Sequence, residues 1–435
     1  MLSPILAYLA ILGFWVASAK SLIYTDPKSI VSKTYDFIIV GAGTGGAVVG
    51  GRLSENSAFR VLVIEAGPLP DNIDAVNIPL EAVQDSPDLF YNWNYTLAPN
   101  PYTNNRALSY QKGMVGGGSS SINYCIWNRG SEEDWNKFSR VTGDPGWSWN
   151  SIVRYFNKAE HIVPPTSALN QVGASTPSAL GTAGPIKMSL PNYNLSFNTQ
   201  IFEIPGTPGY PDIPLNKDYN DGTPLGLSQL VATIGGGVRA QSMDYMGNAT
   251  IAARPNLDLL INTRVTELTF AKTSRLVKGP IVTGLMVQQT LNGPLFNFSA
   301  RKEVILSAGV VATPQLLQVS GIGNSTLLRA HGIAARVDNP NVGANLRDHP
   351  WIANNFYYNG TSFDSMSNNP NIASAQVALY MANHTGMLST SPVSGIMYGR
   401  APYKTGILNA KNDPTAGPNT PHYEIIFGRT LSRSG

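Results

Sequence analysis

The sequence predicts an α/β protein organised on a buried parallel sheet, and three observations carry that expectation. Tyr35-Asp36-Phe37-Ile38-Ile39-Val40 is a β-branched and aromatic run that opens directly into Gly41-Ala42-Gly43-Thr44-Gly45-Gly46. A run of this kind reads as a strand covered on both faces. A second short apolar run, Arg60 to Ile64, ends in Glu65. The third observation is composition: of 435 residues, 43% are hydrophobic and only 13% charged, with 42 Gly and 31 Pro. That balance supplies a large core and many turns, and it argues against a coiled coil or long disordered tails. The length suits two or three domains.

Taken from the amino terminus, the first element is ILAYLAILGFWVASA, Ile5 to Ala19, which ends in the small-x-small pattern Ala17-Ser18-Ala19 before Lys20. Residues 1–19 read as a secretory signal peptide, although the stretch before the apolar run holds no Lys or Arg. The run is shorter than the ~20 residues a spanning helix needs, so no stable membrane anchor is expected. Seven Asn-x-Ser/Thr sequons, at Asn94, Asn194, Asn248, Asn297, Asn324, Asn359 and Asn383, are compatible with a secreted, extracellular glycoprotein. The net charge of +3 is too even to point to a nucleic acid. Cys125 is the single cysteine, which rules out an intramolecular disulfide and any thiolate-rich metal site; it reads as a small buried residue. No metal is expected.

Gly41, Gly43 and Gly46 then form G-x-G-x-x-G at a strand-to-helix junction. Gly41 allows the tight turn, Gly43 lets a pyrophosphate approach the backbone, and Gly46 lets the helix pack close. The helix is expected over Ala47 to Ser54, with its amino-terminal N–H groups favouring phosphate. Glu65, about 20 residues on, is placed to take ribose hydroxyls. This fingerprint does not separate nicotinamide from flavin dinucleotides. Further along, Gly113-Met114-Val115-Gly116-Gly117-Gly118-Ser119-Ser120-Ser121-Ile122-Asn123 offers consecutive N–H groups and hydroxyls to an electron-rich cofactor, or else is a flexible linker. Tyr110, Tyr124, Ile126 and Trp127 flank it closely.

With these segments in view, the chain resembles the glucose-methanol-choline (GMC) oxidoreductases, flavoenzymes that oxidise alcohols. YDFIIVGAGTGGAVVGGRLSE, GMVGGGSSSINYCIWNRGSEEDW and GVVATPQLLQVSGIG from Gly309 to Gly323 are similar to that family's landmarks and stand in the right order. Asn92-Trp93-Asn94-Tyr95, Arg254-Pro255-Asn256-Leu257 and NVGANLRDHP from Asn341 to Pro350 lie between or after them. RGSEEDWNKFSRVTGDPGWSWNSI resembles the fungal aryl-alcohol oxidases most. The resemblance implies FAD, with Gly41, Gly43, Thr44, Gly45 and Gly46 at the pyrophosphate and Glu65 at the adenosine ribose. It sets Val115, Asn123, Tyr124, Cys125 and Ile126 along the isoalloxazine and the backbone of Val265 near the adenine. In some members a His at the place of Asn123 is linked to the flavin, so Asn123 implies noncovalent FAD. Met114, Gly116 and Val310 depart from the usual residues and suggest looser packing there. Tyr124 and Trp127 either wall an alcohol pocket or are plain core aromatics.

The implied fold is a Rossmann-like FAD-binding domain interleaved with an α+β substrate domain built on an antiparallel sheet. Its expected parts are 34–138 and 233–348 for the FAD domain, 139–232 for a substrate-side segment, and 349–435 for an incomplete substrate domain. Val163 to Pro185 reads as a surface excursion or a disordered linker. The implied chemistry is oxidation of a primary, aromatic alcohol to the aldehyde, with oxygen as acceptor and hydrogen peroxide as product. A quinone-dependent dehydrogenase of the same family is the alternative. Either needs a base for the hydroxyl proton, a role that suits histidine. The five histidines, His161, His331, His349, His384 and His422, match none of the family's catalytic motifs. His349 reads as structural, while His384 and His422 are expected as ordinary strand or loop residues of the substrate-domain sheet. The catalytic His is therefore expected beyond Gly435 in a chain truncated at its carboxyl end. Without that His this chain alone is expected to be inactive, and a noncatalytic flavoprotein is the reading from a different class.

Overall fold

A computed structural model describes residues 22–428 except 72, 82–89, 168–176, 194, 209–212, 272–278, 407 and 410. The proposed signal segment, the sequon at Asn194, the middle of the Val163 to Pro185 stretch and residues 429–435 lie outside the described residues. The chain divides into two compact units, one made of the chain up to Pro68 with Tyr245–Leu346, the other of Leu69–Asp244 with the chain from Arg347 onward.

The first unit is built on seven strands: β1 (Ile23–Tyr24), β2 (Thr34–Val40), β3 (Val61–Ile64), β4 (Leu257–Leu260), β5 (Arg264–Phe270), β6 (Val282–Gln288) and β7 (Phe296–Leu306). Their order in the sheet is β1-β4-β3-β2-β7-β6-β5. The first five are parallel, and β6 and β5 add antiparallel at one end. β3 and β4 are buried at every residue, and β2 at all but its first. Continuous apolar runs are what a strand covered on both faces requires. Tyr35, Ile38, Leu62, Leu260, Leu285 and Phe298 form one core cluster. Each fully buried side chain of this size contributes about 1.5–3 kcal/mol relative to exposure.

Polar groups in this core have partners. The Tyr35 hydroxyl donates to Asp258 at 2.7 Å. Arg301 grips Asp36 with two bonds of 3.0 and 3.1 Å, which holds that carboxyl below its ordinary range. Helix α1 (Thr44–Leu53) follows β2, and Arg254 and Asn256 tie its far end to the start of β4. Arg254 donates to the Ser54 hydroxyl at 2.9 Å, and Asn256 to the carbonyls of Ser54 and Phe59 at 3.0 and 2.9 Å. Helix α2 (Gly309–Val319) follows β7 and buries Leu316 in the same core. Pro314 stands inside it and leaves the Val310 carbonyl without its helical donor. Val310 is half exposed.

In the second unit, Tyr423–Gly428, Val393–Gly399 and Gly226–Gln229 form a three-stranded antiparallel sheet. Tyr423, Ile425 and Ile426 of its outer strand are exposed. The helix Glu132–Thr142 begins where Ser131 accepts from the Asp134 N–H, carries three acidic residues in its first turn, and stops at left-handed Gly143. Those acids complement the helix dipole. Arg129, just before it, is buried against Glu160, which also accepts from the Trp127 indole at 2.9 Å and from the Gly181 N–H at 2.8 Å. A further helix, Pro370–Asn383, is capped by Asn369 and ends at His384 with φ of 55°. His384, expected as a strand or loop residue of the substrate-domain sheet, closes this helix, with its ring 5.1 Å from that of Tyr380.

Candidate functional site

In the first unit the glycine turn and Glu65 come together. Gly41 has φ of 93°, and its N–H donates to the Ile64 carbonyl at 2.7 Å, so the turn is pinned to the end of the neighbouring strand. A Cβ on Gly41 would lie 2.6 Å from the Ser307 carbonyl oxygen, and one on Gly46 would lie 1.9 Å from the Gly41 carbonyl oxygen. A Cβ on Gly45 would meet nothing within 4 Å. The helix begins at Thr44, three residues before the expected Ala47, and Gly43 as its cap residue supplies no side-chain acceptor. Glycines are poor helix formers, but the packing of Gly46 on the turn and of Gly50 on Val63 outweighs that propensity.

Glu65 is buried, with one carboxylate oxygen accepting from the Ala42 N–H at 2.8 Å and the other from the Gly67 N–H at 2.9 Å. Burial pushes its pKa up to about 7, while the N–H donors of Gly67, Ala42 and Ala66 work the other way. The carboxylate keeps acceptor capacity for a further hydroxyl. A dipole-bearing helix start, a turn with no room for a Cβ at Gly41 or Gly46, and an adjacent carboxylate fit the diphosphate and ribose of a dinucleotide. Val265 lies in β5, paired with Val287, and a register shift follows between Val265 and Glu267.

In the second unit the Gly/Ser segment is an ordered turn. Gly117 and Gly118 have φ of 88° and 55°, and Gly118–Ser121 forms one helical turn. The Ser120 hydroxyl donates to the Gly117 carbonyl at 2.6 Å and the Ser121 hydroxyl to the Gly116 carbonyl at 2.8 Å. The linker alternative therefore falls. A Cβ on Gly116 would sit 3.1 Å from Met243 and 3.2 Å from Pro70, so this departure is matched by close packing rather than a gap. Val115 is fully buried beside Val76 and Tyr91.

Asn123 and Tyr124 are exposed, Cys125 is buried, and Ile126 bridges to Ala232. Cys125 has φ of 61°, a costly conformation for a residue with a Cβ. Asn123 helps to hold it by accepting from the Cys125 N–H at 3.0 Å, and the Cys125 carbonyl accepts from the Thr233 N–H at 2.8 Å. Burial pushes the Cys125 thiol pKa up, so it stays protonated at neutral pH. The Trp127 indole N–H is committed to Glu160. Sequence reasoning did not single out Arg239, which donates to the Asn123 side-chain oxygen at 2.7 Å.

The histidines are dispersed. His331 caps the helix Ser325–Ala330, and His349 is exposed. His161 lies in the short strand Glu160–Ile162. His422 precedes the outer sheet strand; its Nδ1 accepts from the Ala401 N–H at 3.0 Å and its Nε2 lies 3.1 Å from Asp413. Among the described residues, no helix is long and apolar enough to cross a membrane.

Comparison with known proteins bears on the family. The sequence model of the GMC oxidoreductases matches residues 35–351. A pyranose dehydrogenase of Agaricus campestris is 34% identical over 98% of this chain and 68% of its own length. An FAD-dependent oxidoreductase of Chaetomium thermophilum superimposes with a TM-score of 0.72 at 30% identity, over 84% of this chain and 62% of that one. A fungal aryl-alcohol oxidase superimposes with a TM-score of 0.71 at 26% identity, over 86% and 63% respectively. The chain thus spans somewhat under two thirds of the length of these two solved structures. A match that runs from the strand before the glycine turn to beyond Asp348 places the chain in the GMC oxidoreductase family.

Proposed function

We propose that this chain binds FAD noncovalently and serves the oxidation of a primary, aromatic alcohol to its aldehyde, with oxygen as acceptor and hydrogen peroxide as product. The observation that carries the reading is the closure of the buried Glu65 carboxylate on the Gly41–Gly46 turn. Gly41, Gly43, Thr44, Gly45 and Gly46 would hold the diphosphate, Glu65 the adenosine ribose and the backbone of Val265 the adenine. Val115 and Asn123 to Ile126 would lie along the isoalloxazine. When bound, FAD supplies the two-electron acceptor for the alcohol carbon. Asn123 carries an amide in place of an imidazole, which favours the noncovalent state. None of the five histidines is assigned as the base. His422 has both ring nitrogens engaged and His384 serves a helix end, which supports that assignment. Secretion and glycosylation follow from the Ile5 to Ala19 run and the sequons.

A second reading, electron transfer to a quinone, is favoured by the similarity to pyranose dehydrogenases. Anaerobic mixing of the flavin-loaded chain with a benzylic alcohol, followed by oxygen or benzoquinone, tests both. Bleaching of the flavin band with peroxide release supports the oxidase reading, and fast return of the band with quinone alone supports the dehydrogenase. Absence of bleaching with any primary alcohol or sugar would support a noncatalytic flavoprotein.

A further inference from the structure

Among the described residues, the second unit buries two arginines and satisfies them differently. Arg129 is fully buried against the Glu160 carboxylate, with further bonds to Asn157 at 2.7 Å and the Ala179 carbonyl at 3.0 Å. Arg239, only 4% exposed, forms no ion pair among the described residues. It donates to three neutral oxygens: the Val76 carbonyl at 2.8 Å, the Ser120 carbonyl at 3.3 Å and the Asn123 side-chain oxygen at 2.7 Å. Its Nη2 is buried with no partner among the described residues. A buried guanidinium without a carboxylate is costly, and neutral carbonyls offset only part of that cost.

The bond to Asn123 has a geometric consequence. The Asn123 Oδ1 accepts from Arg239 and from the Cys125 N–H, both of which can only donate. The amide orientation is thereby fixed, and its NH2 group is the end left to donate from an exposed residue. The Cys125 thiol senses the same guanidinium, which partly counters the effect of burial on its pKa.

We propose that Arg239 is a positioning residue for the flavin: it locks Asn123 as a hydrogen-bond donor towards the isoalloxazine and adds an uncompensated positive charge that favours the electron-rich, reduced form. The inference rests on the reading that Asn123 to Ile126 lie along that ring. The test measures FAD content, flavin reduction potential and sulfite affinity of the full chain and of Arg239→Leu, Arg239→Lys and Asn123→Asp. Sulfite adds to flavins that accommodate negative charge, so it reports the local field without turnover. Flavin-loaded Arg239→Leu is expected to have a more negative potential and about tenfold weaker sulfite binding, because a low-dielectric site amplifies the lost charge. Asn123→Asp, which neutralises Arg239 in place, shifts both in the same direction, and Arg239→Lys restores most of the wild-type values. Should Arg239→Leu fail to fold or load FAD, the Lys and Asp variants carry the comparison. Unchanged potential and sulfite affinity in flavin-loaded variants overturn the role of Arg239 alone. A wild-type chain that takes up no FAD overturns the flavin reading and this inference with it.

Discussion

Glu65 sits under opposing influences, burial against three backbone donors, and burial prevails with a pKa of about 7. The folded chain therefore holds a proton on Glu65 between its ordinary value of 4.5 and about 7, where the unfolded chain has lost it. The folded state binding more protons means that stability of the apoprotein falls as pH rises through this window, by about 3 kcal/mol at most. Melting curves of the apoprotein from pH 4 to 8 should show this slope, and Glu65→Gln should flatten it. Ribose hydroxyls favour the ionised carboxylate, so FAD should also flatten the slope. Glu65→Gln is expected to weaken FAD about tenfold, since bonds to a charged acceptor contribute about 1.5–3 kcal/mol. Fluorescence titration of FAD checks this, and an unchanged affinity would remove Glu65 from the ribose. Gly46→Ala meets the Gly41 carbonyl oxygen rather than a flexible side chain. It should cost about 2–3 kcal/mol on chemical denaturation and greatly reduce FAD uptake. At this scale the sequence was legible wherever glycine and carboxylate spacing carried the signal. Arg239 was not, because its meaning lies in Asn123, a partner 116 positions away.

Local patterns also foretold the elements, within limits set by tertiary contacts. The buried run Tyr35 to Val40 and the second run before Glu65 are found as adjacent parallel strands. The first helix starts earlier than its sequence suggests, because close packing of Gly46 and Gly50 overrides poor helix propensity. The helix that ends at His384 escaped notice, since its Asn-Pro start and lack of a charged face resemble a loop. The Arg129–Glu160 pair, with side chains fully buried, joins the segment three residues before one helix to the carboxyl end of another. Glu160→Ala should cost about 3–5 kcal/mol because it strands a buried guanidinium, while Arg129→Met/Glu160→Leu together should cost much less. Urea denaturation distinguishes these cases, and equal losses would show that the pair is not coupled. Around Asp413, hydrogen bonds from Thr415, Tyr403 and His422 hold the carboxyl well below its usual range. Stability from that group is present above the ordinary carboxyl pKa and is lost as pH falls through the folded value. Asp413→Asn should therefore lower stability at neutral pH and lessen the fall in strong acid.

For the molecule as a whole, the family and its two kinds of sheet were readable because the landmarks keep their order along the chain. Substrate choice was not, because exposed aromatics such as Tyr124 carry no spacing that names an alcohol. Any ligand that binds the folded state raises its stability, so FAD at a hundred times its dissociation constant should add about 2.7 kcal/mol. A thermal shift that grows with FAD, and shrinks in Glu65→Gln, follows from the same account. The most direct test of the central claim is to purify the full chain, denature it with acid, and assay the supernatant and the precipitate for flavin. The account predicts a yellow protein that releases FAD into the supernatant, with little FAD bound by Gly46→Ala. A chain that binds no flavin when supplied with FAD would contradict it, and flavin retained by the precipitate would contradict noncovalent binding.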